Sequence, residues 1–118
     1  MPTPANTASS LLKEQRLNAL YACLAAVPQG VVMSYGDLAK AAGLGNAARW
    51  VGRCLSQLPD ETQLPWHRSI SASGRLSLPA HSPAGREQRQ RLQAEGVNLE
   101  NDRINMRRHR WQAGTAPE

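Results

Sequence analysis

Residues 34–58 read SYGDLAKAAGLGNAARWVGRCLSQL, and the order of caps, glycines and apolar residues within them decides the fold. Ser34 can cap a helix, with Asp37 three residues on as an approximate capping box, which predicts a helix from Tyr35 to Ala42. Gly43 and Gly45 supply a tight turn, and Asn46 can cap a further helix that runs to about Leu58 before Pro59 stops it. Helix, short glycine turn, helix is the outline of a helix-turn-helix. On a wheel of about 100° per residue, the later helix places Ala47, Ala48, Val51, Cys54, Leu55 and Leu58 on one side. Arg49, Gly52, Arg53 and Ser56 fall on the other. Gly52 gives up ~1 kcal/mol of helix propensity, which a plain solvent face has no need to sacrifice. A missing side chain lets a partner approach the backbone closely, which suits a recognition helix with Arg49 and Arg53 reaching a duplex. From these residues alone, a solvated basic face is an equally good reading.

Upstream, Leu17, Leu20, Tyr21 and Leu24 fall at i, i+3, i+4 and i+7, the stripe of an amphipathic helix from Ser10 to Ala26 that Pro28-Gln29-Gly30 ends. Residues 1–9 read as a flexible polar arm without the features of a secretory signal. Downstream, a polar loop leads to Pro65-Trp66-His67-Arg68, and a small hairpin is predicted from about Ser69 to Leu78. Ser82 and Pro83 open a helix that ends at Gly96. Val97, Leu99, Ile104 and Met106 then alternate across a turn, a second hairpin. Arg107-Arg108-His109-Arg110-Trp111 reads either as a phosphate-binding cluster or as a chain end with Trp111 tucked on the core, and 112–118 as a flexible tail. Residues 10–111 thus form a single, mainly α domain: a winged helix-turn-helix with short β-hairpins.

The 118 residues suit one domain. Fourteen Lys plus Arg against nine Asp plus Glu give a net charge of +5, and twelve of those cations are arginine, whose planar fork suits phosphates and base edges. No apolar run reaches the ~18 residues of a membrane span, so no membrane association is expected and the cytoplasm is the expected compartment. Cys23 and Cys54 have no CxxC and no Cys/His spacing, so neither a disulfide, a metal nor a cofactor is expected. Both read as small buried hydrophobes.

SYGDLA from Ser34, NAARWVG from Asn46, LPWHR from Leu64, SASG from Ser71 and LQAEGV from Leu92 stand in an order and spacing that resemble the DNA-binding domain of O6-alkylguanine-DNA alkyltransferases, over about Leu17 to Trp111. Those enzymes carry PCHR, whose cysteine takes the alkyl group; here the position is Trp66, and PWHR resembles the alkyltransferase-like proteins. The resemblance implies that Arg49 intercalates, that Tyr35 assists rotation of the target nucleotide, and that Trp66 is a pocket wall in place of the nucleophile. His67 and Glu95 resemble the remnant of a Cys-His-Glu relay. Gly52, Arg53 and Arg68 join the DNA-facing set, as do Ser73 and Gly74 in the segment Ser73 to Pro79, which resembles the loop closing over a flipped base. RLSLP departs there from the enzymes' glycine-rich version, and the asparagine preceding their active-site motif has Leu58 as its nearest counterpart.

An indole is neither ionisable nor a soft nucleophile, so Trp66 cannot accept an alkyl group. The implied function is recognition of O6-alkylguanine in double-stranded DNA, by minor-groove docking and nucleotide flipping without alkyl transfer. The protein is expected to be a monomer, located on the nucleoid when bound to DNA, that flags lesions for nucleotide excision repair proteins. The alternative is a sequence-specific helix-turn-helix transcriptional regulator, which needs base-reading side chains on the third helix and usually a dimer face.

Overall fold

A computed structural model describes residues 4–111, with side chains from Leu12 onward. The elements are α1 (Pro4–Ala25), β1 (Met33–Ser34), α2 (Tyr35–Ala41), α3 (Ala48–Ser56), a 3₁₀ turn (Trp66–Arg68), β2 (Ser69–Ile70), α4 (Pro83–Ala94), β3 (Leu99–Glu100), β4 (Arg103–Ile104) and α5 (Met106–His109). Residues 1–3 of the expected arm and the expected tail 112–118 lie outside the described residues. α1 starts at Pro4 rather than Ser10, so residues 4–9, expected in a flexible arm, are helical. Proline fits a first helical position and Ala5 and Ala8 favour helix, yet no apolar stripe marks the segment.

Two apolar clusters hold the domain. Leu20, Leu24 and Val27 meet Met33, Leu38, Ala39, Val51 and Leu55, which fastens α1 to the helix-turn-helix. Val32, Ile70, Leu76, Leu92, Val97 and Ile104 form the second, beneath α4 and the wing. Successive side chains of extended backbone point opposite ways, so Val32 enters one cluster and Met33 the other.

The hairpin expected over Ser69 to Leu78 does not form. β2 pairs instead with β1, parallel, with Met33 opposite Ser69 and Ser34 opposite Ile70. Burying Ile70 beside Val32 outweighs a local return of the chain. A turn follows, in which the Gly74 amide donates to the Ser71 carbonyl at 3.0 Å, and Arg75 then bridges Arg103 of the wing. The second expected hairpin is present as β3–β4. Asn101 and Asp102 take φ of 52° and 62° there, the left-handed pair that a two-residue hairpin turn requires.

Within residues 107–111, Trp111 is packed on the core as one of the two readings has it, while Arg107 and Arg108 are exposed. His109 is buried and its Nδ1–H donates to the Gly30 carbonyl, the Trp111 amide donates to the Val32 carbonyl at 2.8 Å, and Trp111 packs on the first cluster. Arg110 donates to both carboxylate oxygens of Asp37, at 2.9 and 3.0 Å.

Gly74 has φ of +83°, and a Cβ there would collide with the Ile104 carbonyl oxygen. Gly74→Ala is therefore expected to lower the unfolding free energy by about 1–3 kcal/mol, read from urea denaturation. An unchanged midpoint would remove this account of the turn.

Candidate nucleic-acid interface

α2 is capped as its sequence suggests: the Asp37 amide donates to Ser34 Oγ at 3.0 Å. Gly43 and Gly45, at φ of +76° and +66°, turn the chain into α3. The N-cap is Ala47 rather than Asn46, it has no side-chain hydrogen bond, and α3 ends at Ser56 rather than Leu58. Val51 and Leu55 are buried, whereas Arg49, Arg53 and Ser56 are exposed. Ala48, expected inward, is exposed, and Trp50 packs partly on the first cluster.

A cleft of about 680 Å³ opens on this face, lined by Tyr35 and Gly36 of α2, Arg49, Gly52 and Arg53 of α3, and Ser71 after β2. A Cβ added at Gly52 would meet only Tyr35 Cδ2, at 4.0 Å. That is ordinary contact, so nothing in the fold demands a glycine in mid-helix. The Tyr35 hydroxyl lies 3.2 Å from Ser77 Oγ, a hydrogen bond that ties α2 to the 73–79 loop.

The remaining candidate residues separate into two groups. Ser73 is exposed, but Gly74 is buried with its backbone bonded to Ser71 and Ile104, so it belongs to the frame and not to the DNA-facing surface. Arg68 is likewise corrected. It donates through Nε and Nη2 to Glu95, at 2.9 and 2.7 Å, and through Nη1 to the Val27 carbonyl at 2.7 Å, which leaves its fork no edge for DNA. Burial makes that pairing obligatory, because an arginine so placed needs a carboxylate. Trp66 is half-buried outside the cleft lining, with the guanidinium carbon of Arg91 5.7 Å from its ring centroid. Arg91 escaped the sequence reading. It also donates to Glu87 at 2.9 Å, and that i, i+4 spacing on α4 is the signal that could have found it.

His67 is buried, and its Nε2 lies 2.8 Å from Glu95 Oε2, so the pair implied by the resemblance is present. Burial alone would raise the Glu95 pKa; hydrogen bonds from Arg68 and His67 overcome it and hold the carboxyl down at about 2. Burial pushes His67 below its usual 6.5, against the pull of Glu95. The ring is therefore neutral near pH 7, with Nε2–H donating to the carboxylate and Nδ1 left as a buried acceptor without a partner. Cys23 and Cys54 are not hydrogen-bonded to His67, and burial raises the pKa of both thiols, away from the nucleophilic thiolate. No three His, Cys, Asp or Glu side chains gather as a metal site among the described residues. No helix among them is long and apolar enough to cross a membrane.

A winged helix-turn-helix that turns the polar side of its second helix outward belongs to the DNA-binding class of domains. The sequence profile of the "6-O-methylguanine DNA methyltransferase, DNA binding domain" matches residues 16–97, and the chain belongs to that family. It is 46 % identical over 89 residues to the DNA base-flipping protein of Escherichia coli K12, covering 75 % of this chain and 67 % of the relative. To Alkyltransferase-like protein 1 of Schizosaccharomyces pombe it is 36 % identical over 80 residues, 68 % of this chain and 74 % of the relative. The structure of S. pombe Atl1 in complex with damaged DNA containing O6-carboxymethylguanine is similar at a TM-score of 0.77 and 30 % identity, over 84 % of this chain and 96 % of that one. Mycobacterium tuberculosis O6-methylguanine methyltransferase is similar at 0.59 and 30 % identity, over 72 % of this chain and 50 % of that one.

The buried pair sets an acid limit. Glu95 has a folded-state pKa of about 2 against an ordinary 4.5, so it contributes roughly 3 kcal/mol at about 1.36 kcal/mol per pKa unit. That contribution is full above pH 4.5 and is lost as pH falls toward 2. His67, depressed below 6.5, adds a further loss as pH falls below 6.5. Glu95→Gln is expected to be less stable than wild type at pH 7, with the gap closing between pH 4.5 and 2; stability curves that stay parallel through that window would contradict the assignment.

Proposed function

We propose that this protein recognises O6-alkylguanine in duplex DNA and does not repair it. α3 docks in the minor groove, Arg49 enters the base stack in place of a flipped nucleotide, and Tyr35 assists the rotation. Arg53 contacts phosphate, while Trp66, which lies outside the cleft lining with His67 behind it, meets the flipped base only beyond the cleft. The observation that carries the reading is Gly52: the fold leaves ordinary room for a Cβ there, so the helix keeps its least helical residue for something that approaches from outside. The cleft beside it, flanked by Arg49 and Tyr35, is large enough for a nucleobase. The names of the relatives, a base-flipping protein and an alkyltransferase-like protein, and the damaged DNA bound by S. pombe Atl1 support the same reading. Ser73, exposed beside Ser71, belongs to the lesion-facing rim.

The absence of transfer follows from Trp66. The buried His67–Glu95 pair would favour a thiolate at the preceding position, whereas an indole there keeps its N–H proton at ordinary pH and holds its nitrogen lone pair in the aromatic ring, so it is not a nucleophile of comparable strength. The protein acts as a monomer in the cytoplasm, on the nucleoid when bound, and presents the marked site to nucleotide excision repair proteins.

Binding to a duplex with one O6-methylguanine is expected to exceed binding to the same duplex with guanine, with the protein's mass unchanged after prolonged incubation. Equal affinities would remove lesion reading, and a gain of one methyl group would restore the enzyme. Arg49→Ala is expected to abolish the fluorescence rise of a reporter base opposite the flipped nucleotide; a retained signal would rule out intercalation. Gly52→Ala separates fold from function: stability rises by about 0.5–1 kcal/mol while affinity for the lesion duplex falls. A variant that binds as wild type would leave the glycine without its proposed role.

A further inference from the structure

A second concavity, of about 640 Å³, shares Arg49 and Arg53 with the cleft and extends away from it to Arg16 of α1, Lys40 at the end of α2, Asn46 in the turn and Trp50. Four cations line it and no carboxylate does. Arg68, Arg89, Arg91 and Arg110 are each neutralised by an acidic side chain, yet none of the four lining cations stands in an ion pair among the described residues. Like charges gathered without ion-pair partners repel one another, a cost that an anionic partner removes.

Arg16 is also positioned. Its guanidinium carbon sits 5.8 Å from the Trp50 ring centroid, a cation–π contact that restrains a long side chain while leaving N–H groups at its edge for an acceptor. Beside it, α3 has Ala47 as an N-cap without a side-chain hydrogen bond, and Ala47 and Ala48 line the concavity, so the uncapped first turn adds its partial positive charge.

We infer that this concavity seats the phosphodiester backbone of the duplex, with Arg16 and Lys40 gripping phosphates beside the point where Arg49 enters the stack. The inference rests on DNA docking at α3, and it brings α1, outside the helix-turn-helix, into the footprint. A contact to phosphate carries no information about the base, so this grip acts on damaged and undamaged DNA alike. It supplies the affinity with which the protein holds DNA while it searches.

Arg16→Gln, Lys40→Gln and the double variant test it by anisotropy on the guanine and O6-methylguanine duplexes between 50 and 200 mM salt. Each substitution is expected to lower the magnitude of the slope of log affinity against log salt by about 0.9, by the same factor on both duplexes. The reporter-base signal at saturation stays unchanged. Arg16→Lys is expected to restore the slope. An unchanged slope in the double variant would overturn the inference, as would a loss confined to the lesion duplex. Reduced slopes together with equal wild-type affinity for both duplexes would sustain the grip and remove lesion reading, which keeps the two failures distinct.

Discussion

Glu95 is bound through both of its oxygens: Arg68 donates to each, at 2.9 and 2.7 Å, and His67 shares Oε2 at 2.8 Å. Three parts of the chain meet at this carboxylate, because Arg68 also reaches the Val27 carbonyl just past the end of α1. The turn that carries Trp66 is thereby fixed to α4 on one side and to α1 on the other. β2 follows that turn directly, so its parallel register with β1, and with it the division between the two apolar clusters, depends on the same bonds. Removing one partner would leave buried charge without compensation, which typically costs about 3–5 kcal/mol. The pair that resembles a catalytic remnant is therefore also a beam of the frame, a role that needs no thiol beside it.

The outer face of α3 contrasts with this frame. Val51 and Leu55 supply its anchorage, and the outward side chains contribute little to packing. Tyr35 stands between the two regimes. It packs against the first cluster, faces Gly52 and bonds to Ser77, so α3 and the 73–79 loop are adjusted to one another through one phenol ring.

The parts of this arrangement that are local in the chain were legible in the sequence. Ser34 with Asp37, the glycine turn at 43–45 and the apolar spacing of Val51 and Leu55 each act within a few residues, and the helix-turn-helix follows from them. The alternation of Val97, Leu99, Ile104 and Met106 announces the β3–β4 hairpin for the same reason. What sequence reading missed is non-local. The two-residue strands β1 and β2 pair across more than thirty residues, too short for any periodicity to register. Arg68 looks like one more surface arginine until Glu95 and Val27 are brought to it. Gly74 looks like an open loop glycine, and only the approach of β4 makes it structural. The tie between His67 and Glu95 was expected through resemblance alone, since nothing in the spacing of 67 and 95 calls for it.

The clasp between Arg110 and Asp37, with the bridge from Arg110 to Val32, also bears on how the protein is made. β1 and the first turn of α2 are synthesised about seventy residues before the residue that closes their outer side. Local contacts can assemble α2 and α3 early, and the contact that completes them closes a loop of more than seventy residues. A nascent chain thus carries α2 and α3 without this clasp until Arg110 has been made. Translation that stops short of residue 110 yields a chain whose basic face is present and whose clasp is not, so the order of synthesis places the closing of this clasp after the helix pair that it joins.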